Sequence, residues 1–113
     1  MFDLSFAEIL LLLVFAHALA DYPLQGQFLA EAKNHKAPLD GVPWYQALAA
    51  HAAIHGGFVG LITGSLWLGV AEFAAHAIID HAKCSKKISY NLDQALHVAC
   101  KCFWVVLLWQ GFV

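Results

Sequence analysis

The chain has 113 residues, which allows one domain. It is 61% hydrophobic and 12% charged, against about 45–50% apolar and about 25% charged in soluble domains, so a soluble globular fold and disorder are both excluded as expectations. Six basic residues, all lysine, and a net charge of −2 exclude a nucleic-acid binder, leaving an integral membrane protein that carries seven histidines.

The first expected span is Leu4 to Ala20, around the run Ile9-Leu10-Leu11-Leu12-Leu13-Val14-Phe15. A secretory signal is not expected here, because the first 16 residues hold Asp3 and Glu8 but no Lys or Arg. Asp21-Tyr22-Pro23 ends this helix, since a residue before proline is pushed out of helical geometry. Leu24 to Lys36 reads as a short amphipathic piece lying along the interface, followed by a turn region around Pro38 and Asp40-Gly41. The second span is Pro43 to Thr63, with Pro43 at the first helical position and Trp44-Tyr45 at headgroup level. Gly64-Ser65 turns the chain into a short third span, Leu66 to His81. The loop to Asn91 holds Lys83, Lys86 and Lys87, and the fourth span runs from Leu92 to Val113. The expected fold is therefore all-α: a four-helix integral membrane bundle with a short interfacial helix between the first two spans. Lysines Lys33, Lys36, Lys83, Lys86, Lys87 and Lys101 fall on or near one side. That bias predicts a multi-pass protein of the inner (cytoplasmic) membrane, with both connections cytoplasmic and both termini outside. Gly56, Gly60 and Gly64 form overlapping GxxxG patterns, which serve either packing within the bundle or a homo-oligomer.

The ionisable residues recur at helical spacing. His17 and Asp21 are four apart, as are His51 and His55, and Asp93 and His97, with Lys101 four further on. Glu72, His76, Asp80 and Lys83 follow one another at four, four and three. Residues four apart share a helical face. At 1.5 Å per residue His17 lies about 6 Å inside Asp21, and His97 about 6 Å beyond Asp93. These groups thus fall in the same half of the bilayer. Ionisable groups at that depth face the bundle interior and pair with each other or with ions. Imidazole and carboxylate together suit a divalent metal, and helix bundles build such sites from inward-facing Glu, Asp and His. The candidate ligands are His17, Asp21, His51, His55, His76, Asp80, Asp93 and His97, holding one or two ions, with zinc the first expectation. Asp93 and Gln94 are also candidates for orienting a histidine ligand. His51-x-x-x-His55 lacks a glutamate after its first histidine, so a zincin-type protease helix is not indicated. His35 is expected to be solvated and His81 interfacial. Glu72 is either a proton carrier or a partner of His76. Cys84, Cys100 and Cys102 are odd in number and form no CxxC, and are expected to be reduced packing residues.

In their order and spacing, His17-Ala-Leu-Ala-Asp21-Tyr-Pro-Leu-Gln25, His51-x-x-x-His55, His76-x-x-x-Asp80-His-x-Lys83 and Asp93-Gln94-x-x-His97 resemble the domain of unknown function 3307 family, small membrane proteins of bacteria and their phages. The resemblance spans nearly the whole chain. It implies that these residues, with Lys33, are the family's signature positions, and it brings no activity with it.

The leading expectation is a metal-dependent hydrolase acting on a lipid or lipid-linked phosphate at the cytoplasmic leaflet. Asp21, Asp80 or Glu72 would act as general base, and Lys83 would steady the anionic substrate. Membrane lipids are then the expected partners. Three other uses stay open: ion or proton transport through the same groups, haem held by histidines on facing helices, and a non-catalytic membrane effector with a structural polar core.

Overall fold

A computed structural model describes residues 4–112 of the chain. Asp3 and Val113, the expected end of the last span, lie outside the described residues. Five helices follow one another: α1 (Phe6–Asp21), α2 (Gly26–Ala32), α3 (Trp44–Thr63), α4 (Leu66–Cys84) and α5 (Tyr90–Gln110). There is no strand among the described residues.

Local chemistry accounts for the boundaries. At the start of α1 the Ser5 hydroxyl accepts from the Glu8 amide and the Glu8 carboxylate accepts from the Ser5 amide, a reciprocal capping box. Ser65 caps α4 and Ser89 caps α5 in the same one-sided way, each accepting from the amide three residues on. α3 begins one residue later than expected: Pro43 is its cap, with ψ at 120°, and lends its carbonyl to the Gln46 and Ala47 amides. α3 ends on Gly64 at φ 71°, a left-handed conformation that glycine adopts without strain. α4 runs to Cys84, past the expected His81, because its last turn stays hydrogen-bonded through the Ser85 amide to His81.

The four long helices close a ring in which α1 packs on α3, α3 on α4, α4 on α5 and α5 on α1, while α2 leans on α3. The bundle measures 46 × 24 × 23 Å. Its tightest pair is α3 with α4. A Cβ at Gly56 would stand 2.7 Å from the Gly69 carbonyl oxygen, and one at Gly69 would stand 2.9 Å from that of Gly56. No side chain fits there, so the two backbones touch. The first glycine of the GxxxG stripe is thereby spent inside the chain, with Gly60 beside it against Gly69.

Ionisable side chains are buried beside the apolar core. The buried residues include His17, Lys33, His51, His55, Glu72, His76, Asp80, Asp93, His97 and Lys101. Meanwhile Leu11, Phe15, Leu61, Trp67, Ile78 and Trp109 are each about two-thirds or more exposed. One helix, α5, is long and apolar enough to cross a membrane by itself. α1 and α2 reach that measure only together, and they are bent by 82° at Tyr22–Gln25.

Candidate metal centre

The break after α1 builds the centre. Tyr22 precedes Pro23 and sits at φ −106°, ψ −81°, outside helical geometry. Asp21 is therefore the last helical residue, and its carboxylate reaches across the bundle rather than along α1. Oδ1 accepts from His51 Nε2 at 3.1 Å and from His55 Nε2 at 2.9 Å, and His76 Nε2 lies 3.9 Å away. Oδ2 accepts from Gln94 Nε2 at 2.9 Å and stands 3.4 Å from His17 Nε2. One donor atom from each of Asp21, His51, His55 and His76 lies within 4.8 Å of all the others. Three helices, α1, α3 and α4, supply this group.

The donor spacing suits a small cation. Two ligands about 2.0–2.2 Å from one tetrahedral ion stand about 3.3–3.6 Å apart, and the distances from Asp21 Oδ1 bracket that edge. His76 carries a further mark. It is fully buried, and neither ring nitrogen has a hydrogen-bond partner, although buried polar groups are almost always paired. Its ring stacks between those of His55, at 3.6 Å, and His97, at 4.1 Å. Protonation there would set cationic rings face to face, whereas a cation uses the lone pair.

Charge counting points the same way. Four carboxylates sit in the interior, Asp21, Glu72, Asp80 and Asp93, against two fully buried ammonium groups, Lys33 and Lys101. Lys83, at the edge of the cluster, adds a third ammonium against Asp80, so carboxylates still outnumber ammonium groups, and a cation would offset the remaining negative charge, which is costly in a low-dielectric interior.

The remaining predicted residues surround this core. Asp80 is held by Lys33 Nζ at 2.6 Å and by Lys83 Nζ at 3.4 Å, and lies 3.8 Å from His51 Nε2. Asp93 accepts from Gln94 and sits 3.2 Å from His97 Nε2. His17 donates to Gln94 Oε1 at 3.0 Å. All eight predicted metal-site residues and Lys83 thus belong to one connected cluster. Glu72 is not a partner of His76: it pairs with Lys101, one helical turn deeper.

Two interior lysines carry more weight than their sequence positions suggest. Lys101 is four residues after His97 and shares its face, so its signal was in the spacing. Lys33 has no local signal. It reaches Asp80 and Gln25 only because α2 folds back over the bundle end. His35 is half-buried rather than solvated: its ring stacks on His81 at 3.9 Å, Trp44 stands 5.3 Å from both, and Ser85 Oγ is 3.0 Å from its Nε2. Loss of solvent, then the neighbouring His81, Lys36 and Lys87, lower the His35 pKa. At the rim the Tyr22 and Tyr90 hydroxyls hydrogen-bond to each other. The Lys83 ammonium lies 5.8 Å over the Tyr90 ring. Cys84, Cys100 and Cys102 are free thiols.

No curated protein and no solved structure matches the chain significantly. A family model does, over residues 9–112, and the chain belongs to that family, described as protein of unknown function (DUF3307).

Proposed function

We propose that the protein is a multi-pass inner-membrane metalloprotein that hydrolyses a lipid or lipid-linked phosphate at the cytoplasmic leaflet, with zinc bound by Asp21, His51, His55 and His76. The single observation that carries this reading is the convergence of those four donors, within 4.8 Å of one another, in an interior where carboxylates outnumber ammonium groups.

Buried ionisable groups beneath exposed large apolar side chains support the four spans. α3 and α4 fall short of the apolarity of a lone spanning helix because His51, His55, Glu72, His76 and Asp80 lie on their inward faces. Their outward faces, with Leu61, Trp67, Val70 and Ile78, suit lipid. Lys33 and Lys101 are interior counterions, so the orientation argument rests on Lys36, Lys86 and Lys87 in the connections and Lys83 in the last turn of α4, all at one end. That end faces the cytoplasm, and both termini face outside.

A bound divalent ion would lower the pKa of a water and polarise a phosphoryl oxygen. The chain's own groups do the rest. Asp80, already neighbouring His51, is placed to take a proton. Lys83, the least buried ammonium of the cluster, is placed to hold an anionic headgroup. At the other end of the bundle Ile9, Leu13, Val59, Leu68 and Trp104 form an apolar plug, which favours a site open to one leaflet over a conduit.

Metal content of detergent-purified protein, measured alongside release of phosphate from a lipid phosphate in mixed micelles, tests the proposal. Wild type should carry zinc stoichiometrically. His51→Ala/His55→Ala should lose it, with hydrolysis down at least 100-fold. Wild type free of metal under non-chelating conditions would overturn the reading.

A further inference from the structure

We infer that the centre holds a second divalent cation, bound by His17, Asp93 and His97 and bridged to the first through Asp21. The inference rests on the reading of His51, His55 and His76 as ligands of the first ion, and it adds a site on the opposite edge of the Asp21 carboxylate.

Asp21 divides its two oxygens between two sets of groups. Oδ1 faces His51, His55 and His76. Oδ2 faces away from them, 3.4 Å from His17 Nε2. A second pair, Asp93 Oδ1 and His97 Nε2, stands 3.2 Å apart. Both separations are near the edge of about 3.3–3.6 Å expected for two ligands of one small ion. The His17 and His97 ring centroids are 5.2 Å apart, close to the roughly 5 Å that two imidazoles on one tetrahedral ion require.

The groups are also incompletely paired where they stand. Asp93 is 1% exposed and its Oδ1 accepts no hydrogen bond. Buried carboxylates are paired or hold a cation; Gln94 donates to Oδ2 of Asp93, while Oδ1 has only the His97 ring nitrogen near it. That same Gln94 amide nitrogen donates to Asp21 Oδ2 at 2.9 Å and to Asp93 Oδ2 at 3.2 Å. It ties the two carboxylates to one point and sets them side by side. An ion between the pairs draws them into one shell, with the carboxylates turned on the Gln94 tether.

Charge then says what the loaded centre wants. One divalent ion already offsets the interior excess of carboxylates over ammonium groups; a second leaves the centre strongly positive. The doubly loaded centre therefore recruits a dianion, as a phosphate monoester headgroup is, and the singly loaded one does not.

Native mass spectrometry of the full chain in detergent, titrated with zinc, decides the matter. Wild type should bind two ions per chain, and Asp93→Asn and His97→Ala one each, with inorganic phosphate retained by wild type only. One ion in wild type, unchanged in both variants, would overturn the second site and leave the first standing. No ion in wild type would remove both. Manganese loading gives a readout that needs no variant. Two ions sharing the Asp21 carboxylate should give an exchange-coupled paramagnetic resonance spectrum at saturation. A spectrum of isolated ions at every loading would overturn the bridge.

Discussion

The same four helices build two opposite interiors. Toward the α1–α2 bend the bundle holds Asp21, five histidines and two lysine–carboxylate contacts, both to Asp80. Toward the other end it holds Ile9, Leu13, Val59, Leu68 and Trp104. The boundary is the Glu72–Lys101 pair, both residues about fully buried. Above it His76 and His97 stack; below it Leu68 and Trp104 pack, each one turn or nearly so along the same helices. The difference teaches where each half draws its order. In the dry half, shape alone positions the side chains. In the polar half, most groups are placed by an oppositely charged or hydrogen-bonding neighbour, His76 being held by ring stacking instead, so removing one strands another.

The comparison predicts unequal damage. Lys101→Met leaves Glu72 as an unpaired buried charge and should cost about 3–5 kcal/mol, read from unfolding in detergent. The double variant Lys101→Met/Glu72→Leu should recover most of that loss. A neutral single variant would mean that the pair is not desolvated, and the boundary between the halves would dissolve. Leu13→Ala, in the dry half, opens a cavity and should cost about 2–3 kcal/mol, with metal content unchanged. Metal lost from Leu13→Ala would show that the halves are mechanically coupled. The smallest effect is expected at His35. Its folded pKa lies below the ordinary value of about 6.5, so its packing against His81 and Trp44 favours folding in full above that pH. The contribution falls away as pH drops from there through the lowered folded pKa. Histidine proton resonances followed with pH, with His35 identified through His35→Gln, check this: titration of His35 at or above the free value would reverse the sign.

Most of the architecture was legible in the sequence. Apolar runs with punctuation at Pro23, Pro43 and Gly64-Ser65 mark four long helices and the short piece after the first. Spacing of four marked the polar faces, and the depth argument put those faces at one end. What spacing could not carry was partner choice. Glu72 is four residues from His76, yet it pairs with Lys101, because residues on one helical face lie side by side and point at the next helix rather than at each other. Lys33 and His35 escaped for a different reason: their neighbours are set by the 82° turn that lays α2 and the following loop against α3 and α4. The glycines show the same limit. Their spacing permits a close helix contact, and only the meeting of Gly56 with Gly69 identifies which helix takes it.

The sequence by itself determined that the chain is helical, that its few polar groups are concentrated in one end of the bundle, and that imidazole and carboxylate share each face, since these follow from composition and from the 3.6-residue period. The tertiary structure decided that Asp21, at a helix end cut by proline, is the group on which His17, His51, His55, His76 and Gln94 all converge. That choice depends on which oxygen meets which nitrogen within about 3–4 Å, a distance set by the packing of four helices and encoded in no single one of them.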